Sequence, residues 1–350
     1  MNSFKTRAFA AYNTEEETRK NSSSGGLFSA FAEFLINCGG IVYGVKMSDD
    51  CYSSEYARIV DLKDIYKIRG SKYLQARIGD TFCRVKKDLD DGLSVLFSGT
   101  GCYVSGLKSY LGKEYANLYC IDVVCHGVPS QLLWKKYVDS LESRYGKLKR
   151  INFRCKDKGR EEFGIKNNYL YFSRRKDSFF RFFLRDYSLR PSCYECNAKT
   201  NKQSDISLAD FWGINQVLPE MNDNKGISLV LVRTEKGNML FSECIQSINS
   251  MEVDYSKAVN YNPAESHSAK RPVHRDYFYS DLNKLEYKDL VRKYIPVTFR
   301  EVIGDIKFVC KKIVKQILNF RKRKRDNSKV LFDTNSDYGI LFTFEGKAHK

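Results

Sequence analysis

The amino-acid sequence predicts an α/β protein with mixed or mostly parallel sheets, flanking helices and a basic amphipathic helix near the C-terminus. Two segments carry this prediction: "KDLDDGLSVLFSGTGCYVSGLKSYLG" and "NLYCIDVVCHGVPSQLLWKKYVDSLESRYG" each contain an apolar strand, a glycine loop and a helix. Successive units of this kind favour parallel strands, whose loops share the sheet edge where open α/β sheets bind ligands. The third observation is a basic stretch at residues 299–325.

Residues 1–90 form the first predicted part. In "NSSSGGLFSAFAEFLINCGG", residues 27–36 read as a helix, with hydroxyls at residues 22–24 available as N-caps and Gly39 and Gly40 as the stop. The segments "IVYGVKM" and "YARIVDL" predict strands that follow it.

Residues 91–248 form a larger second part. A buried strand at residues 95–97, a loop at "SGTG" and a helix begin it, and a second unit of the same plan follows. Beyond residue 150 the aromatic pieces "NNYLYFSRR" and "FFRFFLRDYSLRPSC" read as strand-like, and "SDISLADFWGI" and "GISLVLVRT" predict strands. "NMLFSECIQSI" predicts a helix, residues 249–298 a connection, and residues 299–350 a basic helix and tail.

Composition narrows the class of protein. The chain has 350 residues with 42% hydrophobic and 29% charged side chains, which is typical of globular proteins. No apolar run reaches the roughly 18–20 residues that span a bilayer, and the first 20 residues do not resemble a signal peptide. Eleven cysteines, an odd number, favour a reducing compartment, so we expect a cytoplasmic protein.

Four cysteines differ from the others in their surroundings. Cys193 and Cys196 lie a turn apart in "RPSCYEC", while Cys102 in "SGTGC" and Cys125 in "VCHGVP" each follow a strand beside a glycine. All four therefore belong to loops, and most of the remaining cysteines fall within predicted helices or strands, where they read as small buried hydrophobes. Thiolates of this kind suit either an iron–sulfur cluster or structural zinc.

Six blocks of sequence, in order, resemble the beta-subunit family of coenzyme F420 hydrogenases and dehydrogenases. They are "SSSGGLFSAFAEFLINCGGIVYGV", "RGSKYLQA", "VLFSGTGCYVSGLKSYL", "VVCHGVPS", "LRPSCYEC" and "SDISLADFWGI". The family extends to bacterial homologues found with polysaccharide-biosynthesis genes. The resemblance implies an oxidoreductase with FAD, bound by residues 1–90, and a [4Fe–4S] cluster. The cluster ligands it implies are Cys102, Cys125, Cys193 and Cys196.

The chain departs from the family pattern in two ways. Gly101 and Tyr103 stand where the family motif has proline and glutamine, which should loosen the loop and remove an amide near the flavin. The sequence also begins just after the point where many relatives carry a ferredoxin-like domain. We therefore expect one cluster rather than three, with a ferredoxin-like redox partner and a small-molecule substrate, deazaflavin-like or a pathway intermediate.

A flavin pyrophosphate needs backbone N–H donors at a helix start, with glycines that allow close approach. Two stretches offer this arrangement, and each has an ordinary structural alternative. The candidate flavin contacts are Ser23, Ser24, Gly25, Gly26, Ser98, Gly99, Thr100 and Gly101.

Further residues are candidates for the same site. Lys72 could supply a charge for a phosphate and Tyr73 an aromatic face, although a solvated lysine beside a core tyrosine is as plausible. His126 is a candidate proton donor beside the flavin, against a purely structural role. Asp205 and Asp210, which flank "ISLA", could tune a cofactor or cap a turn.

The net charge of +17 is concentrated near the C-terminus, where residues 299–325 hold ten Lys or Arg against two acidic residues. An amphipathic helix with this charge suits an anionic membrane surface, as at the inner face of a membrane, while its apolar stripe could equally pack on the protein's own core. No nucleic acid is expected, because the run is short and lacks interleaved aromatics. The alternative to an oxidoreductase is a non-catalytic accessory protein of surface-polysaccharide biosynthesis with a structural cluster or zinc.

Overall fold

A nine-stranded mixed sheet organises residues 4–296, the range that the computed structural model describes. The basic segment at residues 299–325 and the tail lie outside the described residues. The strands of this sheet run in the order β12-β1-β11-β10-β6-β5-β2-β3-β4, and β7, β8 and β9 form a separate antiparallel sheet. The strands are β1 (Arg7–Asn13), β2 (Ile41–Met47), β3 (Ser54–Ile59), β4 (Ala76–Arg77), β5 (Val95–Thr100), β6 (Leu118–Val123), β7 (Ile151–Cys155), β8 (Gly164–Asn167), β9 (Tyr171–Ser173), β10 (Ile206–Asp210), β11 (Ser228–Val232) and β12 (Ile248–Val253).

Helices cover this sheet and the smaller one. They are α1 (Glu16–Asn21), α2 (Leu27–Asn37), α3 (Ile65–Ile68), α4 (Thr81–Asp90), α5 (Gly101–Leu111), α6 (Gln131–Tyr145), α7 (Ser178–Leu184), α8 (Ile214–Val217), α9 (Glu235–Glu243), α10 (Tyr255–Val259), α11 (Arg275–Lys284) and α12 (Tyr287–Tyr294).

The predicted α/β class is confirmed. Strands β10, β6, β5 and β2 are adjacent and mutually parallel, and β5 and β6 are the two strands of the predicted strand–loop–helix units. Alternation along β5 explains its burial on both faces: Val95 and Phe97 pack with α4 and α5, whereas Leu96 packs with α2. The ends of these strands bring the loops after β5 and β6 to one edge.

Two local predictions are wrong. "SGTG" is not a loop, because Ser98, Gly99 and Thr100 continue β5 in pairing with β6, and Gly101 begins α5 directly. The aromatic run after residue 176 is not strand-like but forms α7, whose Phe179, Phe180, Phe182 and Phe183 are all buried. Four phenylalanines within residues 179–183 form a short apolar run, which periodicity alone does not assign to a helix or a strand.

Residues 249–298, expected to be a connection, contain ordered elements. Strand β12 pairs with β1, and helices α11 and α12 bury Phe278, Leu282 and Leu290 in the aromatic core formed with α6 and α7. The expected boundary near residue 90 divides the sequence but not the sheet, since β2 pairs with β5 across it. Within residues 4–296, no helix is both long enough and apolar enough to cross a membrane.

Candidate functional site

The four predicted ligand cysteines border one cavity of about 330 Å³. Cys102 lies in the first turn of α5, directly after β5, and Cys125 follows β6 by two residues. Cys193 ends a 3-10 turn that begins with Pro191, and Cys196 lies three residues beyond. The parallel strands therefore bring two thiols to one edge, and the third loop adds two more.

Main-chain pairing holds the third loop against the Cys125 loop. Pro129 and Leu189 form an isolated β-bridge, and the Arg190 amide donates to the Val128 carbonyl at 3.0 Å. In the reverse direction the Val128 amide donates to Cys193 Sγ at 3.4 Å. Hydrogen bonds to ligand sulfurs are one way in which proteins tune iron–sulfur clusters.

Burial raises the pKa of two of these thiols, Cys125 and Cys193. Burial raises the pKa of Cys125 to about 12, with further increments from Cys193, Cys102 and Cys196 and an opposing effect of Lys199. Burial also raises the pKa of Cys193. Buried Lys199 donates hydrogen bonds to the carbonyls of Cys125 and Ala264, and desolvation lowers its own pKa. The cysteine cavity is thus lined by four thiols and by the cations Arg190, Lys199 and Lys202.

The four thiols do not converge on a single metal position in the described residues. In residues 4–296, no three His, Cys, Asp or Glu side chains converge closely enough to hold one metal ion. A tetrahedral zinc site would need all four sulfurs about 2.3 Å from a common point. The four thiols border a cavity of about 330 Å³, and thiolates are ligands of iron–sulfur clusters as well as of zinc.

A second, larger cavity of about 600 Å³ adjoins the cysteine cavity. Its volume lies in the range of cofactor and ligand pockets. Eight of the ten glycine-loop and "GSKY" candidates line it, and Gly25 and Gly101 do not. The eight are Ser23, Ser24, Gly26, Lys72, Tyr73, Ser98, Gly99 and Thr100.

Close packing explains why Gly25 and Gly101 are absent from the lining. A Cβ on Gly25 would lie 2.4 Å from the Ala11 carbonyl oxygen, and one on Gly101 would lie 2.9 Å from Asp122 Oδ2. Gly101 belongs instead to the cysteine cavity. It is the first residue of α5.

The start of α2 lines the large cavity without a side-chain cap. Its N-cap is Gly26, in the left-handed region at φ 89°, and no side chain caps the first turn. The serines expected to cap the helix bind elsewhere: Ser23 Oγ accepts from the Ser71 amide and Ser24 Oγ donates to the Ile227 carbonyl. Uncapped N–H groups at a helix start are suited to an anion such as a phosphate.

Lys72 and Tyr73 occupy the same wall but differ in role. The Lys72 ammonium donates to the Arg69 carbonyl at 2.9 Å, and burial lowers its pKa to about 7. The Tyr73 ring packs edge-on against Phe153 and Phe180, and its hydroxyl accepts from Arg154 at 3.3 Å. The tyrosine is thus a core residue whose edge reaches the cavity.

The two cavities share a wall that contains Cys125 and His126. Its members are Thr100, Val123, Val124, Cys125, His126, Gly127, Val128 and Ala264. His126 Nε2 lies 2.5 Å from Asp186 Oδ1, and its ring packs edge-on against Phe183. A group in one cavity is therefore separated from a group in the other by a single layer of residues.

The two predicted aspartates have different surroundings. Asp205 accepts from the Cys120 amide and from Thr234, so it joins β6 to the turn after β11 and lines neither cavity. Asp210 lines the large cavity and forms an ion pair with Arg154 at 2.7 Å.

Sequence reasoning missed several residues of the large cavity. Tyr56 contributes a buried hydroxyl without a hydrogen-bond partner in the described part of the chain, and Tyr103, the residue in place of the family glutamine, packs edge-on against it. Tyr103 directs its own hydroxyl to the Ala76 carbonyl. Arg154, Arg174 and Trp212 also line the cavity. Trp212 lies in the block "SDISLADFWGI", whereas no sequence signal singled out the two arginines.

Comparisons with known proteins match most of this chain. Two family models described as coenzyme F420 hydrogenase/dehydrogenase, beta subunit, match it: the N-terminal model at residues 8–80 and the C-terminal model at residues 92–256. The coenzyme F420-dependent sulfite reductase of Methanocaldococcus jannaschii is 22% identical over 264 residues, which are 72% of this chain and 40% of that protein. The chain thus spans well under half the length of that relative.

A solved structure is also similar. It is a chain of the F420-reducing [NiFe] hydrogenase complex from Methanosarcina barkeri, in a xenon derivative. The sequences are 16% identical and the TM-score is 0.49, with 85% of this chain and 94% of that chain covered.

Proposed function

Because this chain belongs to the coenzyme F420 hydrogenase/dehydrogenase beta-subunit family, we propose that it is a flavin- and iron–sulfur-dependent oxidoreductase. It would pass electrons between a small substrate in the large cavity and a redox partner protein, with FAD and one [4Fe–4S] cluster as cofactors. The observation that carries this proposal is the pair of adjoining cavities, one bordered by four cysteines, with Cys125 in their shared wall.

Different residues would bind the cofactor in each cavity. Cys102, Cys125, Cys193 and Cys196 would hold the cluster, with the Val128 amide fixing one sulfur. The uncapped start of α2 and Lys72 would receive the flavin phosphates. When bound, the flavin supplies hydride exchange with the substrate and the cluster supplies single-electron transfer. His126, which contacts Asp186, would be a proton donor beside the flavin at the shared wall.

The cluster assignment is tested by replacing cysteines one at a time. Serine at Cys102, Cys125, Cys193 or Cys196 should remove most bound iron from anaerobically purified protein, because a hydroxyl is a poor substitute for a thiolate ligand. The control is Cys38→Ser, at an exposed cysteine that borders neither cavity. Iron, acid-labile sulfide and flavin are measured together.

A zinc-containing protein would be the result that contradicts the cluster assignment. One equivalent of zinc without iron or flavin would contradict electron transfer. It would favour a non-catalytic accessory role, such as the one in polysaccharide biosynthesis, with a structural metal.

The basic segment at residues 299–325 adds a proposed contact with an anionic membrane surface. Ten Lys or Arg against two acidic residues, at about 1 kcal/mol per basic residue near such a surface, predict salt-sensitive binding. The chain should float with anionic vesicles and not with neutral ones, and should be released as salt rises. A chain ending at Arg300 should stop floating. If that shortened chain instead loses its flavin, the segment serves the fold and the membrane contact is wrong.

A further inference from the structure

Buried positive charge exceeds buried negative charge beside the large cavity. Arg154, Lys156 and Arg160 are 4%, 8% and 7% exposed, and Arg174 is half-buried. Asp210 is the one largely buried carboxylate whose charge acts on all four cations, while exposed Glu161 acts on Arg160 from the surface. Three arginines, together with Lys156, whose pKa burial lowers to about 7, therefore face one largely buried carboxylate in this part of the described structure.

Three of these cations form what we call the arginine cluster: Arg154, Arg160 and Arg174. The Arg154 guanidinium lies 3.7 Å from the centre of the Phe163 ring, Arg174 lies 5.3 Å from the same ring, and Arg160 lies 4.2 Å from the Trp212 ring. The aromatic rings hold the guanidinium groups in place through cation–π contact but carry no net charge to balance them.

Hydrogen bonding within the arginine cluster is incomplete. The buried Nε atoms of Arg154, Arg160 and Arg174, and one terminal nitrogen of Arg160, have no hydrogen-bond partner in the part of the chain that the structure describes. Buried donors without partners are costly, and charged donors more so. Lys156 is different, because its ammonium donates to the carbonyls of Arg19, Ser24 and Lys225 at 2.7–2.8 Å. The buried donors without hydrogen-bond partners therefore belong to the arginines and not to Lys156.

Arg154 and Arg174 of the cluster lie at a part of the cavity wall that solvent reaches, whereas Arg160 is buried behind it and does not line the cavity. Arg154, Arg174, Phe163 and Trp212 line the large cavity, and the Trp212 side chain is 40% exposed. A small molecule that enters here would meet a half-exposed indole face with guanidinium groups around it. Planar guanidinium groups match the geometry of phosphate and carboxylate oxygens, often in bidentate contact.

We propose that Arg154 and Arg174 of the arginine cluster, together with Trp212, form an anion subsite of the large cavity, which binds a phosphate or carboxylate group of the small substrate. This inference rests on the proposed function, because it assigns the start of α2 to the flavin phosphates and leaves the arginine cluster for the substrate. The same chemistry could instead bind a phosphate of the flavin itself, and the experiment separates the two sources.

Arg174→Gln tests the subsite in the flavin-loaded full chain, with inorganic pyrophosphate as the probe in titration calorimetry. Arg174 is chosen because Arg154 is paired with Asp210, whose carboxylate its removal would leave unpaired. Loss of one charged contact should weaken pyrophosphate binding about tenfold or more, with flavin content unchanged. The matched control is Arg175→Gln, which removes the same charge from an exposed neighbour and should change binding less than about threefold.

A stability measurement gives an independent readout. Arg174 adds to an uncompensated buried charge, so Arg174→Gln should raise the Tm of the ligand-free protein. A lowered Tm would mean that the arginine stabilises the fold, and the subsite would be rejected.

Three other results would also overturn the inference. They are no pyrophosphate binding by the unaltered chain, pyrophosphate that displaces the flavin, and flavin lost from the Arg174→Gln protein, since the last two assign the cluster to the cofactor. Failure of the proposed function looks different, because protein purified without flavin or iron can still be titrated with pyrophosphate.

Discussion

At the scale of single residues, Lys72 is a lysine of the large cavity whose pKa burial brings close to neutral pH. Its ammonium contacts the carbonyls of Arg69 and Lys67, and burial lowers its pKa from the ordinary value to about 7. A bound phosphate would favour the charged form and raise that pKa. Binding above neutral pH must therefore take up a proton.

Flavin affinity should consequently fall as pH rises through about 7. The pKa is lower in the free protein than in the complex, so each pH unit above the free value costs up to about tenfold in affinity until the pKa of the complex is passed. Flavin binding to the flavin-free chain, measured from about pH 6 to about pH 9, tests this. Lys72→Met should bind weakly throughout and lose the dependence, while Lys63→Met, at a lysine whose side chain is 77% exposed, should keep it. A flat profile for the unaltered chain would remove Lys72 from the flavin site.

The site cysteines could be predicted from the sequence, whereas the arginines of the large cavity could not. Cys102 and Cys125 could be singled out because each follows an apolar strand beside a glycine, a signal contained in a few residues. Arg154 carries no such signal. Its burial depends on Asp210, which is 56 positions along the chain, and on the rings of Phe163 and Trp212. Only the fold brings those groups together.

At the scale of elements, the loop after β6 packs closely against the loop that precedes Cys193. A Cβ on Gly127 would lie 2.7 Å from Leu189 Cδ1, and Leu189 is fully buried. The absence of a side chain at Gly127 therefore sets how closely the two cysteine-bearing loops approach.

Gly127→Ala should separate the loops and lower iron content. Overpacking of a buried contact costs about 1–3 kcal/mol, so the free energy of unfolding should fall by a similar amount while the secondary structure persists. Gly106→Ala is the matched control, because its Cβ would meet only Phe82 at an ordinary 3.5 Å, and helix α5 should gain slightly from alanine. The measurement that tests this prediction is the iron content per folded chain. Full iron in Gly127→Ala would mean that the loops tolerate the wider spacing.

Elements with a strong period or clear caps were predictable, and others were not. Helix α2 matches its expected body, because its apolar residues and the following Gly39 and Gly40 are local signals. Helix α7 was missed because its short run of phenylalanines does not by itself distinguish a helix from a strand. Its one local mark was Asp177, which accepts from the Phe180 amide as an N-cap.

At the scale of the whole molecule, the two parts of the sequence share one sheet and one adjoining aromatic core. Helices α11 and α12 complete that core, where Phe278 packs against Phe182 with ring centres 5.4 Å apart. On the same helix α7, Phe180 and Phe183 line the large cavity. Helices α11 and α12 thus support the cavity wall from the side opposite the cavity. The polar, proline-containing stretch that precedes them in the sequence does not suggest this role.

Removing this support should weaken both the fold and the site. Phe278→Ala deletes a fully buried ring, which costs about 3–5 kcal/mol of the free energy of unfolding. Because the cavity left behind lies against α7, flavin retention should fall as well. Tyr277→Ala is the matched control on the same helix, at a side chain that is 71% exposed, and should change stability by less than about 0.5 kcal/mol. Urea unfolding gives the stability, and flavin content after gel filtration gives the retention. A destabilised Phe278→Ala protein that keeps its flavin would show that the cavity wall does not depend on α11.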